Sequence, residues 1–123
     1  MVFEDDARVN PVVRQFFTKS GDKSLKETLG RLADSHDKFE WNLLNLGSCL
    51  GTCHDREYLN ISLPQPVKIA VKTNPYCTVA YIVSRKGAEL LLKEVKSKGL
   101  QAADRGLRRT EKFKQVTLEP RLF

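Results

Sequence analysis

The sequence predicts an α/β layer fold with a largely parallel or mixed sheet, and three observations carry that expectation. Stretches rich in apolar and β-branched residues, at 39–47, 67–71 and 78–83, alternate along the chain with stretches of helical periodicity, the order that layers helices on a sheet. The apolar content is densest in the strand-like stretches, as strands covered on both faces require. Third, the apolar start Met1-Val2-Phe3 runs straight into three carboxylates, Glu4, Asp5 and Asp6. That places an acid-x-acid pair at the end of a strand.

Strand side chains alternate between faces, so Glu4 and Asp6 project to one side and Asp5 to the other. Ligands of open α/β sheets bind outside the carboxyl ends of strands, and paired carboxylates there suit a divalent cation that also holds phosphates. A solvated turn after an edge strand is the plainer reading of the same triplet. Asn10-Pro11 then starts a short amphipathic helix carrying Val12, Val13, Phe16 and Phe17 at helical spacing, placed to cover the sheet near the acids. The segment 20–24 breaks it. Ser24 and Glu27 form a capping box, and Leu25, Leu29 and Leu32 extend one apolar stripe, which predicts a second helix from Leu25 to about His36. His36 is expected to face solvent or cap the helix end, without chemistry of its own.

Residues 39–47 have a near-continuous apolar character, carried by Phe39, Trp41, Leu43, Leu44 and Leu46, and end at Gly47, which predicts a central strand. From 48 to 66 the periodicity is lost and a long loop is expected, of a length usually reserved for function. Within it, Asn60-Ile61-Ser62 is a glycosylation triplet that matters only in a secreted chain. Residues 67–71 and 78–83 are two further strands with a turn at 73–76. Ser84 caps a third helix, with Ala88, Leu91, Leu92 and Val95 as its buried face and Lys98-Gly99 as its end. A short helical piece at 102–108 precedes a last strand at 112–118.

At 123 residues the chain is expected to form a single domain, and 41% hydrophobic with 29% charged residues is the composition of a folded one, which sets disorder aside. No apolar run reaches the length of a membrane span, and an apolar start followed by acids does not make a signal peptide. Lys and Arg balance Asp and Glu at ten each over residues 1–84, whereas residues 85–123 hold eleven against five. The surplus of +6 therefore lies in the last third. Such a third attracts nucleic acid, anionic lipid or a phosphate-bearing substrate, or forms a solvated helix face. No aromatic residue interleaves the arginines of 105–109, so base stacking has no support and no nucleic-acid partner is expected. The odd count of Cys49, Cys53 and Cys77 leaves one bridge with a free thiol, or buried thiols. A zinc site made with His54 is disfavoured, because adjacent Cys53 and His54 point apart and a second Cys pair is lacking.

Taken together, Glu4-Asp5-Asp6, the segment Trp41 to Gly47, the segment Cys77 to Leu92 with its Ala-Tyr-x-x-Ser-Arg-x-Gly-Ala core, Asp104, and the ending Pro120 to Phe123 resemble glycosyltransferase family 25 in order and spacing. That family holds the lipooligosaccharide and procollagen galactosyltransferases, and its fungal members share the Leu-Gly-x-Cys pattern found at Leu46 to Cys49. The resemblance implies a partial GT-A fold, a mixed sheet with helices packed on it, spanning residues 1–123 from the acidic motif onward. It implies metal-dependent, inverting transfer of a sugar, galactose from UDP-galactose, to a hydroxyl of a glycan or protein acceptor. Asp6 and Glu4 are then the ligands of Mn²⁺ or Mg²⁺, Glu4 and Asp5 serve the UDP-sugar, and Asp104 is the candidate general base.

The sequence departs from the family pattern at Asn42, where Asp is usual, and at Val79, where His is frequent. The family's N-terminal third, with its first nucleotide-binding strand, is expected to lie outside this segment, which leaves a sheet edge inviting self-association. In the fungal-like pattern Cys49 pairs with Cys77. A full-length eukaryotic member would enter the secretory pathway, in the ER and Golgi, although this segment carries no targeting signal. The alternative function is that of a catalytically inactive fragment or truncated paralogue acting as an interaction protein.

Overall fold

The computed structural model of the chain describes residues 1–3, 5, 7–11, 13–15, 22–47, 57–60, 67–71, 79–99 and 113–123, with only the backbone of 22–25. It is a mixed α/β structure built on one five-stranded sheet. The strands are β1 (Val2–Phe3), β2 (Leu43–Gly47), β3 (Lys68–Ala70), β4 (Ala80–Val83) and β5 (Gln115–Glu119), and the helices are α1 (Asp22–Phe39) and α2 (Arg85–Lys98). The spatial order is β1-β4-β2-β5-β3. Only β2 and β5 pair in parallel, and the other three pairings are antiparallel, so of the two expected arrangements the sheet takes the mixed one.

β2 is central because its sequence leaves nothing for water: all five residues are buried. Paired residues on neighbouring strands share a face, which sorts the sheet into two. One face carries Leu44 and Leu46 of β2, Ala80 and Ile82 of β4, Val116 and Leu118 of β5 and Ile69 of β3. These residues form the core with Leu32 of α1, Val13, Trp41, Val67 and Leu122. The other face carries Leu43 and Asn45, with Val83 and Tyr81 on one side and Gln115 and Thr117 on the other.

α1 begins at Asp22, ahead of the expected capping box, so Ser24 and Glu27 lie inside the helix. Its buried side is Thr28, Leu32 and Ser35, spaced by four and three residues as one helical stripe demands. The helix also runs on to Phe39 instead of stopping near His36. Glu40 ends it with a left-handed φ of 52°, and its N–H donates to the His36 carbonyl at 2.7 Å. That reversal is usually made by Gly. With Glu in its place the boundary gives no sequence signal, and the apolar run of 39–47 divides into a helix end, a turn and a strand.

Trp41 fills the turn. Its indole Nε1–H donates to Ser35 Oγ at 2.9 Å, Ser35 donates to the Leu32 carbonyl at 2.7 Å, and the His36 ring stands edge-on to Trp41 at 5.6 Å. His36 is thus half-buried and structural. Asn42, also buried, fastens β5: its N–H donates to the Lys114 carbonyl and its Oδ1 accepts from the Lys114 N–H, both at 2.8 Å.

Ser84 caps α2 as the sequence predicts, its Oγ accepting from the Gly87 N–H at 3.0 Å. The face expected to be buried is covered only in part: Ala88 and Leu91 are half-buried, whereas Leu92 is 61% and Val95 40% exposed, and Gly87 is the one fully buried residue of the helix. α2 meets the sheet at Gly87, where a Cβ would run into the Asn42 carbonyl and press on Val83. Periodicity located the stripe and could not say whether a neighbour covers it. The expected short helix after Asn10-Pro11 is present where the chain is described: residues 11 and 13–15 are helical, the Arg14 N–H donates to the Asn10 carbonyl at 2.8 Å and Val13 is buried. Val12, Phe16 and Phe17, the expected helix at 102–108, the loop segment 48–56 and the turn 73–76 lie outside the described residues.

Gly87→Ala should lower the unfolding free energy by about 1–3 kcal/mol through overpacking. Gly30→Ala, in α1 with nothing within 4 Å of the added Cβ, should raise it by about 0.5–1 kcal/mol through helix propensity. Urea unfolding of the two variants checks both signs.

Candidate functional site at the carboxyl end of the sheet

Because β4 runs against both of its neighbours, β1 and β2 point the same way, and β5 points with them. The carboxyl ends of β1, β2 and β5, at Phe3, Gly47 and Glu119, therefore share one end of the sheet, beside the first residue of β4 and the first of β3. The chain leaves β1 at this end, after Phe3. Asp5 lies in an exposed turn, while Glu4 and Asp6 are outside the described residues, as are Asp104, Cys49, Cys53, His54 and Cys77.

The chain after the acids returns across this end and is held there. The Asn10 N–H donates to the Leu122 carbonyl at 2.8 Å and its Nδ2 to the Arg121 carbonyl at 3.2 Å. Leu122 in turn donates its N–H to the Leu46 carbonyl at 2.8 Å, and the Phe123 ring meets Phe3 edge-on at 5.0 Å. Residues 120–123 thus cross from the end of β5, over the end of β2, to β1. Gly47 permits the crossing, since a Cβ there would stand 2.6 Å from the Phe123 carbonyl oxygen.

Asn10, Glu119, Pro120 and Arg121 line an open hollow at this end. Glu119 accepts from the Tyr58 hydroxyl at 3.0 Å, and Lys68 Nζ lies 5.4 Å from the centre of the Tyr58 ring. The hollow therefore offers amide, carboxylate and guanidinium groups together. Sequence reasoning missed Asn10 and Arg121 as a set, because only the crossing of 120–123 brings residues so far apart in the chain into one rim.

One row below the rim, Tyr81, Asn45 and Thr117 stand in register across β4, β2 and β5. Asn45 is fully buried, its Nδ2 reaching the Val116 carbonyl at a long 3.5 Å, and among the described residues its Oδ1 has no hydrogen-bond partner. The ladder is irregular between Asn45 and Gly47, and such bulges are over-represented next to active sites. The signal was present in the sequence: Asn45 is the single polar residue among Leu43, Leu44 and Leu46.

Among the described residues no three His, Cys, Asp or Glu side chains converge as metal ligands, and no helix is long and apolar enough to cross a membrane. No family model, curated protein or solved structure matches the chain.

Asn45→Val keeps the side-chain volume roughly the same and removes the orphaned carbonyl. It should stabilise the fold by about 1 kcal/mol, since an unmade buried hydrogen bond costs about 1–3 kcal/mol. Thermal and urea unfolding beside the parent chain measure the difference.

Proposed function

We propose that the chain is a glycosyltransferase domain of the family 25 type, with a GT-A kind of sheet, that transfers galactose from UDP-galactose to the hydroxyl of a glycan or protein acceptor with inversion. The observation that supports this reading best is the convergence of three strand ends, β1, β2 and β5, at the point where Glu4, Asp5 and Asp6 leave β1. Strand carboxyl ends are where α/β sheets hold nucleotide ligands.

By donor chemistry the triplet fits a hard divalent ion, Mn²⁺ or Mg²⁺, with Asp6 and Glu4 as the proposed ligands. Such an ion, when bound, offsets the charge of the departing diphosphate. Asp5, exposed in a turn just beyond β1, is the proposed partner of Glu4 in holding the UDP-sugar. Asp104 is the proposed general base that takes the acceptor's proton. The hollow lined by Asn10, Glu119, Pro120 and Arg121 opens at this same end of the sheet.

A second reading has its own observation. β1 is two residues long, and Met1, Val2 and Phe3 are 52%, 40% and 49% exposed, so this edge favours association as an interaction protein without catalysis.

Calorimetric titration separates the two. UDP-galactose and UDP should bind the chain in the presence of Mn²⁺, with affinity reduced at least about tenfold by Asp6→Ala, the loss of one charged ligand. Absence of metal-dependent binding, together with concentration-dependent association in analytical ultracentrifugation, would select the interaction protein.

A further inference from the structure

We infer that the open side of α2 is a docking surface for an anionic membrane. This inference stands apart from the sugar-transfer reading, because it uses none of that site's residues and α2 starts after Val83, at the opposite end of β4 from Ala80.

The helix carries Ala88, Leu92 and Val95 at spacings of four and three residues, which puts them on one side of a 3.6-residue turn. Ala88 is half-buried, while Leu92 and Val95 are both exposed, so among the described residues nothing covers that part of the stripe. The polar residues of α2 are mostly basic. Arg85, Lys86, Lys93, Lys96 and Lys98 face two acids, Glu89 and Glu94, and both acids are engaged within the helix, with Arg85 at 3.1 Å and Lys98 at 2.5 Å. Lys86, Lys93 and Lys96 are exposed and lie outside every ion pair of the described residues. On a helical wheel Lys96 stands next to Leu92 at the edge of the stripe, and Lys93 and Lys86 lie farther round on the polar side, so apolar and cationic surfaces adjoin at Lys96.

That adjacency decides the occupant. A second copy of this helix would set lysine against lysine, and an apolar partner would leave the lysines without counter-charge. A bilayer with anionic headgroups satisfies both halves: the acyl boundary takes Leu92 and Val95, and the headgroups take the unpaired ammonium groups, which lie in one band along the helix. Lysine stems reach from an apolar stripe to a charged layer without strain.

The test is flotation of the whole chain with vesicles of phosphatidylserine and phosphatidylcholine, and with phosphatidylcholine alone, at low and high salt. The expected result is binding to the anionic vesicles only, weakened by salt. The bound fraction should fall at least about tenfold in Lys93→Glu/Lys96→Glu, at roughly 1 kcal/mol per basic residue, and fall also in Leu92→Gln. Far-ultraviolet circular dichroism should be unchanged in both variants, because the three positions are exposed. Val2→Thr, on the other apolar edge, should bind as the parent does. Equal binding to neutral vesicles, binding that survives the α2 variants, or binding lost in Val2→Thr would overturn the inference. So would no flotation at low salt, whether or not the chain is retained by immobilised polyglutamate, a result that would point to an acidic protein instead.

Discussion

Burial of β2 on both faces is the constraint on which the rest of the structure depends. Leu43–Gly47 has no exposed residue, so each of its faces must be covered and each of its edges paired. One face is covered by the core that gathers Leu32 and Trp41, and the edges are paired by β4 and β5. The polar groups that this arrangement needs are few and fully used at its start, where Asn42 ties the backbone to Lys114 on one side and its carbonyl accepts from the Ser84 N–H at 3.0 Å on the other. At its finish the Leu46 carbonyl receives Leu122. β2 is therefore fastened at both ends by residues that also position β5, α2 and the rim of the candidate site.

How much of this the sequence revealed depended on whether the signal was local. Strands β2 to β5 lie within or next to stretches chosen for apolar and β-branched content, and Ser84 announced α2 because a cap is a matter of one hydroxyl and one N–H. Boundaries failed where the usual residue was missing. Glu40 makes the reversal after α1 that Gly would have announced, and the strand start was set four residues early as a result. Burial of α2 failed for a different reason: amphipathicity states which side of a helix is apolar, and only tertiary contacts state whether that side is covered.

The candidate site was legible in one part and hidden in another. The acidic triplet stood out because three carboxylates after an apolar start are a local pattern, and the direction of β1 puts that pattern at the same end as the finishes of β2 and β5. The opposite side of the rim was hidden. Asn10 and Arg121 meet only because residues 120–123 cross the sheet end, and Gly47, which looked like a strand terminator, is there to let the Phe123 backbone pass. Asn45 was legible as the one amide among Leu43, Leu44 and Leu46, although the sequence did not say that its side chain is buried. A buried carbonyl without a partner works against the stability of the fold, and it lies one row beneath the surface on which the proposed chemistry would take place.

The central claim is that a metal and a nucleotide-sugar occupy the carboxyl end of this sheet, and the most direct measurement is paramagnetic broadening of backbone amide signals by Mn²⁺ in the presence of UDP. The account predicts the strongest broadening at Phe3, Asp5, Ala80 and Arg121, decaying toward Leu43, Val83 and Gln115 at the other end, with the gradient abolished by Asp6→Ala. Broadening that is uniform, centred on another part of the chain, or unchanged in that variant would contradict it.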